Sequence, residues 1–255
     1  MRLSPDFRRR VLAGEWLTGT FLNLGSPMTV EIAGLAGFDW LLIDHEHGPG
    51  GEDLLLHQLH AAAATPAFPV VRIAHNEPAR FKRVLDAGAS GVMVPYVNTA
   101  AEARAAAAAM RYPPHGTRGV AKFNRGAGFG GDFEEYYLHA HERLLGVIQI
   151  ETPEAVANAE AIAAVDGADV LFVGPTDLSY NMGIRDQLEH PDFTAALRQV
   201  AAAARRHGKA AGILVHQPAL VPKVRELGYT FTALGSDGGA ARAGLLGFLA
   251  GLRAT

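Results

Sequence analysis

Two carboxylates and a glutamine stand where two short apolar segments of the sequence end. Gln149 and Glu151 close the run that begins at Leu144, and Asp177 follows Gly174 after a second run. Gln149 and Glu151 are two residues apart, so in a strand their side chains point to the same side. Carboxylate oxygens without thiolates suit a hard cation such as Mg²⁺ or Mn²⁺, with positions left for water or substrate. Both acids could instead only cap the helices that follow them.

The densest titratable cluster of the chain is Asp44-His45-Glu46-His47. Histidine suits proton transfer near neutral pH because its ordinary pKa is about 6.5, which favours a general base here. His45 and His47 lie two residues apart and could also both face a metal ion. No H-E-x-x-H pattern follows, which counts against a zinc site. The cluster could also be a solvated polar loop.

Arg72 ends another short apolar run. A cation buried at a strand end is costly unless it meets an anion. Arg72 therefore binds a substrate carboxylate or a developing enolate, or it forms an ion pair with Asp44 or Glu46. The segment 174–177 could add backbone N–H groups at a helix start, where a substrate carboxylate would fit.

Eight short apolar runs could form the strands that position these side chains. Several are continuously apolar, as expected of parallel strands that are covered on both faces. Helix-length segments lie between most of them and open with Ser26-Pro27, Thr152-Pro153 or Gln217-Pro218. The runs are 18–24, 39–44, 69–73, 91–97, 144–151, 169–174, 210–215 and 230–235.

Eight strand-then-helix units predict an α/β fold, a (β/α)8 TIM barrel, with one domain over residues 1–255. A doubly wound open sheet is the alternative. Barrel enzymes carry their active sites at the carboxyl ends of the strands, so a barrel would bring the candidate residues to one mouth. The stretch 112–140, rich in proline and glycine, predicts a long loop at the active site or in a subunit contact.

The composition excludes several classes of partner and cofactor. A formal net charge of −3 leaves no global field to attract nucleic acid. The absence of cysteine excludes disulfides, thiolate zinc sites and iron–sulfur clusters. Residues 1–16 lack the apolar core of a signal peptide, and no run approaches the ~18 apolar residues of a membrane span. We therefore expect a soluble cytoplasmic protein that binds neither nucleic acid nor a membrane.

Six short motifs occur together along the chain. They are FDWLLID at 38–44, PVVR at 69–72, LDAG at 85–88, YPP at 112–114, QIET at 149–152 and GPTDLS at 174–179. As a set they resemble the HpcH/HpaI family of class II, divalent-metal-dependent pyruvate aldolases, over most of the chain from Gly19 to Leu252. The family fold is a (β/α)8 barrel whose last helix is exchanged between subunits, usually in a hexamer.

The resemblance implies a substrate and a cofactor. It implies reversible cleavage of a 4-hydroxy-2-oxo acid to pyruvate, or hydroxypyruvate, and an aldehyde. The best-known type is 4-hydroxy-2-oxoheptanedioate aldolase, which serves aromatic compound catabolism. A divalent ion, Mg²⁺, Mn²⁺ or Co²⁺, would be held by Glu151 and Asp177. Gln149, Thr176 and Asp177 would contact the keto acid.

The resemblance also implies three catalytic roles. His47 matches the general base, Asp86 the group that raises its basicity, and Arg72 the group that stabilises the enolate. The chain departs from the family at His45, where glycine is common, and at Phe21, where tryptophan is frequent. These departures leave the aldehyde partner open.

Two other functions remain open from the sequence. The same site could decarboxylate oxaloacetate, because that reaction also passes through pyruvate enolate. The altered neighbourhood of His45 would also fit a protein that binds keto acids without catalysis. The apolar last segment, 241–252, fits a helix that is exchanged between subunits, so we expect further copies of the chain as partners in a homo-hexamer. The small-molecule partners that the resemblance implies are keto acids and aldehydes.

Overall fold

The computed structural model describes residues 6–253, which form a closed barrel of eight parallel strands. Each strand pairs with the next along the chain, and the eighth pairs with the first. The predicted (β/α)8 barrel is therefore confirmed, and the open doubly wound sheet is wrong. The strands are β1 (Leu17–Leu22), β2 (Trp40–Asp44), β3 (Phe68–Arg72), β4 (Gly91–Val94), β5 (Leu145–Ile150), β6 (Val170–Val173), β7 (Ala210–Val215) and β8 (Tyr229–Ser236).

The helices surround the barrel, and all but the first and the last connect its strands. Ser26 and Thr152 cap two of them at the Ser-Pro and Thr-Pro signals that the sequence offers. No helix within residues 6–253 is long and apolar enough to cross a membrane. The helices are α1 (Asp6–Leu12), α2 (Pro27–Leu35), α3 (Glu52–Ala63), α4 (Pro78–Asp86), α5 (Ala100–Met110), α6 (Phe133–Arg143), α7 (Pro153–Ala157), α8 (Ala159–Ala163), α9 (Pro175–Asn181), α10 (Pro191–Arg206), α11 (Val221–Glu226) and α12 (Asp237–Arg253).

Aromatic side chains fill the barrel interior. The rings of Trp40 and Phe231 stack with centroids 4.0 Å apart. Trp40 fits because β1 has Gly19 beside it, where an added Cβ would lie 2.2 Å from the indole ring. Phe7 and Val11 of α1 pack into the same cluster. Since α1 precedes β1, these two residues close the amino-terminal end of the barrel and leave the other end open.

The fourth strand is shorter than the sequence predicts. The expected run 91–97 ends as a strand at Val94. Pro95 has no N–H to continue the ladder, and Tyr96 adopts a positive φ of 50°, far outside the β region of extended strands. The chain therefore leaves the sheet at Pro95, and Tyr96 turns back over the end of the barrel.

The long loop predicted at 112–140 is irregular only as far as Asp132, because α6 begins at Phe133. Gly126 N–H donates to the carbonyl of Asp86, and Arg125 Nη1 donates to the carbonyl of Ala87. Both carbonyls lie at the end of α4, so the loop covers the amino-terminal end of the barrel. A place at the active site of its own chain is therefore wrong, whereas a subunit contact stays a prediction.

The last helix, α12, projects from the barrel, and none of its residues is buried. Its first turn is fixed by Asp237, whose carboxylate accepts from the N–H of Asn23 at 2.9 Å and from Thr29 Oγ1 at 2.7 Å. Residues 1–5 and 254–255 of the predicted single domain, 1–255, lie outside the described residues. Residues 1–5 also belong to the segment 1–16 that was considered as a signal peptide.

Candidate active site

The carboxyl ends of the strands surround a cavity of about 350 Å³. Phe21, Phe172 and Leu214 form the apolar part of its wall. Each polar residue of the wall stands at or just after the end of a strand, as the barrel topology requires. The predicted site residues that line the cavity are His47, Arg72, Gln149, Glu151, Thr176 and Asp177.

Arg72 is held in the cavity wall by two carboxylates. Its Nε donates to Asp44 Oδ1 at 2.9 Å and its Nη2 donates to Asp44 Oδ2 at 2.7 Å. Its Nη1 lies 2.9 Å from Glu46 Oε2, an ion pair without hydrogen-bond geometry. Burial raises the pKa of Glu46, although the charge of Arg72 opposes this. Arg72 thus makes the predicted ion pairs and still faces the cavity, so the two alternatives are compatible.

Glu151 is almost completely buried at the end of β5. Gln149 Nε2 donates to its Oε1 at 2.8 Å, and the N–H of Tyr96 donates to its Oε2 at 3.1 Å. Burial raises the pKa of Glu151 to about 7, against the N–H of Tyr96 and with help from the negative charge of Asp177. The ionised form is therefore costly here unless a cation comes close.

Asp177 faces the same cavity from the first turn of α9. The phenol of Tyr96 donates to its Oδ1 at 2.9 Å. Burial and the neighbouring Asp177 raise the pKa of Tyr96 to about 12, so the phenol remains a donor near neutral pH. Gly174 leaves room for the buried acid, since a Cβ at this position would lie 2.3 Å from Glu151 Oε1.

Neither carboxylate acts as a helix cap. Thr152 caps α7, because its Oγ1 accepts from the N–H of Ala155 at 3.1 Å. The N-cap of α9 is Gly174, and no side-chain hydrogen bond caps that helix. The alternative in which Glu151 and Asp177 merely end their helices is therefore wrong.

The two histidines of the Asp44-His45-Glu46-His47 cluster face different surroundings. His47 stands at the rim of the cavity with a side chain that is 68% exposed. His45 Nε2 lies 3.3 Å from Gln58 Oε1 on α3. A metal site built on both histidines is therefore wrong, and no group of three or more His, Asp or Glu residues in 6–253 could hold an ion.

Asp86 is far from His47 within one chain. It ends α4, and α4 runs back from the end of β3 to the start of β4, so Asp86 lies at the closed end of the barrel. There Arg118 Nη2 donates to its Oδ1 at 2.7 Å. The expectation that Asp86 raises the basicity of His47 therefore fails inside a single chain, because the barrel separates the two side chains.

A family model described as HpcH/HpaI aldolase/citrate lyase matches residues 17–243. The chain belongs to the HpcH/HpaI family. A protein named 5-keto-4-deoxy-D-glucarate aldolase from Salmonella arizonae is 41% identical over 238 residues, which are 93% of this chain and 93% of that protein. The substrate in that name is a sugar acid and differs from the heptanedioate that the resemblance suggested.

Solved structures of other HpcH/HpaI proteins have the same fold. A HpcH/HpaI aldolase/citrate lyase family protein from Burkholderia cenocepacia J2315 superposes with a TM-score of 0.93 at 36% identity, covering 98% of this chain and 100% of that one. A HpcH/HpaI aldolase from Desulfitobacterium hafniense DCB-2 gives 0.89 at 29% identity, covering 97% and 96%. The chain is thus an enzyme of the aldolase type, a carbon–carbon lyase.

Class II aldolases of the HpcH/HpaI family use a divalent metal ion, and three observations fit that need. Glu151 and Asp177 offer two carboxylates to one cavity. Gln149 Oε1 is buried and has no hydrogen-bond partner among the described residues. A cation would also offset the raised pKa of Glu151. A site with two protein ligands leaves positions for substrate, as catalytic metal sites require.

Sequence reasoning missed three polar residues near this HpcH/HpaI site. His216 follows β7 and lines the cavity, and the strand-end rule that selected Arg72 would also have selected it. Asn181 Nδ2 donates to the backbone carbonyl of Glu151 at 2.9 Å. Tyr96 gave no signal, because the predicted strand 91–97 placed it inside the sheet.

Proposed function

We propose that the protein is a divalent-metal-dependent aldolase that reversibly cleaves 4-hydroxy-2-oxo acids of the sugar-acid type into pyruvate and an aldehyde. The observation that supports this most strongly is the pair Glu151 and Asp177, which face one cavity together with Arg72. The cavity wall combines an apolar part with a few polar groups, as is typical of sites that bind small molecules.

The substrate class is supported by the chemistry of the relative's named substrate. Numbered from its keto end, 5-keto-4-deoxy-D-glucarate is a dicarboxylate with a keto group at C2, a methylene at C3 and a hydroxyl at C4. Cleavage of the C3–C4 bond gives pyruvate and 2-hydroxy-3-oxopropanoate. The compound is thus a 4-hydroxy-2-oxo acid, and a substrate with a C3 hydroxyl would release hydroxypyruvate instead.

Glu151 and Asp177 would hold the ion, and Mg²⁺, Mn²⁺ and Co²⁺ all suit carboxylate ligands. When bound, such an ion polarises the keto group and so favours breakage of the C3–C4 bond. Gln149 borders the same part of the cavity and would orient the substrate through its amide, whose N–H groups donate to keto or carboxylate oxygens and whose unpaired oxygen could accept from a substrate hydroxyl. Thr176 lies beside Asp177 in the wall and would contact the same molecule.

Arg72 would stabilise the negative charge that develops on the keto acid. Asp44 already fixes its guanidinium, so the group need not reorganise during the reaction. Preorganised donors of this kind are worth about 3 to 4 kcal/mol each. His47 stands at the rim and would accept the proton of the C4 hydroxyl while the C3–C4 electron pair moves into the enolate of pyruvate. A proton from His47 would then pass to C3, which completes pyruvate and leaves His47 neutral again. In the direction of synthesis the same two transfers would run in reverse.

Assembly of several copies would complete this site. The exposed side chains Met28, Ile32 and Leu35 share one face of α2, since they are four and three residues apart. The helix α12 exposes Leu245, Leu246, Phe248, Leu249 and Leu252. Two exposed apolar faces on one chain favour a homo-oligomer, such as a hexamer, in which α12 packs on a neighbour. Asp86 would then serve the His47 of another copy.

The test is pyruvate release from 5-keto-4-deoxy-D-glucarate and from a panel of 4-hydroxy-2-oxo acids, with EDTA or with added Mg²⁺, Mn²⁺ or Co²⁺. We expect metal-dependent release that Glu151→Gln lowers by at least about 100-fold. Glu154→Gln, which changes an exposed acid in the first turn of α7, is the matched control and should keep full activity. Borohydride with pyruvate should leave the enzyme active, because no lysine Schiff base is involved.

Three results would contradict the proposal in different ways. Release from oxaloacetate alone would favour a decarboxylase that uses the same site. Binding of keto acids with no turnover of any compound would favour a non-catalytic binding protein. Inactivation by borohydride in the presence of pyruvate would show that the reaction uses a lysine Schiff base and not a metal-stabilised enolate.

A further inference from the structure

Tyr96 contacts both of the carboxylates that face the cavity. Its backbone N–H donates to Glu151 Oε2 at 3.1 Å, and its phenol O–H donates to Asp177 Oδ1 at 2.9 Å. Glu151 belongs to the end of β5 and Asp177 to α9 beyond β6, whereas Tyr96 follows β4. One residue therefore joins three consecutive segments of the barrel mouth.

The backbone of Tyr96 is in a conformation that a tyrosine rarely adopts. Its φ is 50°, in the left-handed region that favours glycine, asparagine and aspartate. Such strain persists only where the surrounding structure stabilises it, and it is concentrated at functional sites. The turn after Pro95 aims the N–H at Glu151 and sends the side chain towards Asp177. The two hydrogen bonds are therefore made by one strained residue.

Two acids that share a cavity repel each other when both are ionised. The contact with Tyr96 gives each carboxylate a donor while leaving other lone pairs free, because an ionised carboxylate has about four acceptor positions. On Asp177, which lines the cavity, the phenol occupies Oδ1 and leaves Oδ2 out of this contact. Hydrogen bonds to ligand carboxylates orient them and tune their affinity for an ion.

We propose that Tyr96 is a positioning residue that fixes the orientation of Glu151 and Asp177 for a divalent cation, through its N–H on one and its phenol on the other. This inference rests on the proposed metal-dependent function. Tyr96 itself touches neither the ion nor the substrate in this role. Its phenol sets the rotamer of Asp177 and so the distance between the two charges that the ion would bridge.

The test compares Tyr96→Phe with Tyr180→Phe. The first change removes only the hydroxyl and keeps the backbone contact with Glu151. Tyr180 is an equally exposed tyrosine on α9 whose hydroxyl donates to Asp186 instead, so it is the matched control. Mn²⁺ is titrated into the metal-free proteins by calorimetry, and the electron paramagnetic resonance spectrum of bound Mn²⁺ is recorded. Thermal unfolding of the metal-free proteins checks that each variant folds.

We expect Tyr96→Phe to bind Mn²⁺ about 10-fold more weakly and to change the spectrum, as removal of such supporting hydrogen bonds does elsewhere. The Mn²⁺ concentration for half-maximal turnover should rise by the same factor, while kcat at saturating Mn²⁺ stays within about threefold. Tyr180→Phe should match the wild type in every measurement.

Three results would overturn the inference. Equal Mn²⁺ affinity and an unchanged spectrum in Tyr96→Phe would remove the role of Tyr96 and leave the proposed function intact. A wild-type protein that binds no Mn²⁺, Mg²⁺ or Co²⁺ would remove both. A lower midpoint of unfolding for metal-free Tyr96→Phe, with Mn²⁺ affinity unchanged, would show that the hydrogen bond serves only the fold.

Discussion

Asp44 and Arg72 are direct partners in the parallel pairing of β2 with β3. Their side chains meet through two hydrogen bonds of 2.9 and 2.7 Å, and only 2% and 8% of these side chains is exposed. The sheet register therefore sets the position of the guanidinium in the cavity. A fork of two parallel hydrogen bonds also fixes the plane of the group, which a single contact would not do.

Replacement of Asp44 by asparagine should destabilise the protein by about 3 kcal/mol, because the buried positive charge of Arg72 then keeps only one of its two carboxylate partners. This value is the lower end of the range of about 3 to 5 kcal/mol for breaking a buried ion pair, because Glu46 Oε2 still lies 2.9 Å from Arg72 Nη1. Urea denaturation at neutral pH measures the change in the free energy of unfolding. The control is Asp53→Asn on the exposed face of α3, and equal stability of the two variants would contradict the prediction.

The stabilisation that Asp44 provides should disappear in acid. Burial acts to raise the pKa of Asp44, but the hydrogen bonds and charge of Arg72 outweigh it and hold the pKa below its usual range. A carboxyl whose pKa is lower in the folded state contributes stability above its unfolded pKa, about 4, and loses it as pH falls through the folded value. The wild type should therefore exceed Asp44→Asn by a constant free energy of unfolding above about pH 5, and by less below about pH 4.

The measurement is urea denaturation of both proteins at several pH values between neutrality and the acid limit of folding. Metal-free protein is used throughout, so that ion binding does not add its own pH dependence. A difference between the two proteins that stays constant below pH 4 would show that the carboxyl of Asp44 does not carry it.

The barrel and most of its mouth could be predicted from the sequence because both follow local rules. Continuous apolar runs mark strands that are covered on both faces, and polar residues at their ends mark the mouth. Arg72, Gln149 and Glu151 are placed by strand position alone, so they were found. The alternatives for Arg72 could not be separated, since an ion pair and a cavity position depend on the same register.

Two other features depended on geometry that the sequence does not display. The contact of Tyr96 with both acids requires a left-handed turn, and nothing in the residue type of tyrosine signals one. The resemblance to the family predicts that Asp86 assists His47. A resemblance assigns roles to residues but does not say whether two residues of one site come from the same subunit. The direction of α4, which runs along the outside of the barrel from the end of β3 to the start of β4, shows that His47 and Asp86 lie at opposite ends of the barrel.

A charge on the last helix should break the proposed assembly. Phe248 is 75% exposed on α12, next to the exposed side chains of Leu245 and Leu249. Phe248→Asp should lower the mass found by light scattering towards that of one chain, 27.0 kDa. Arg242→Gln, a polar change on the same helix, should keep the wild-type mass. A wild-type protein that is itself a stable monomer would contradict the prediction.

Mixing two inactive variants tests whether Asp86 serves the His47 of another copy. Separately, His47→Ala and Asp86→Asn should each lose most turnover, the first by loss of the base and the second by loss of its partner. If each site takes His47 from one chain and Asp86 from a neighbour, about a quarter of the sites in a one-to-one mixed oligomer carry both groups. Activity should then rise to about a quarter of the wild type, far above the sum of the parents.

The matched control mixes His47→Ala with Arg72→Lys, since both changes lie in the cavity of one chain. No site in that mixture regains both groups, so its activity should stay at the level of its parents. Unfolding curves of Asp86→Asn check that Arg118, which pairs with Asp86 at 2.7 Å, still packs. A mixture of His47→Ala and Asp86→Asn that gains nothing over its parents would mean that Asp86 acts on Arg118 alone, and that any carboxylate supporting His47 belongs to its own chain, where Glu46 Oε2 lies 3.9 Å from His47 Nε2.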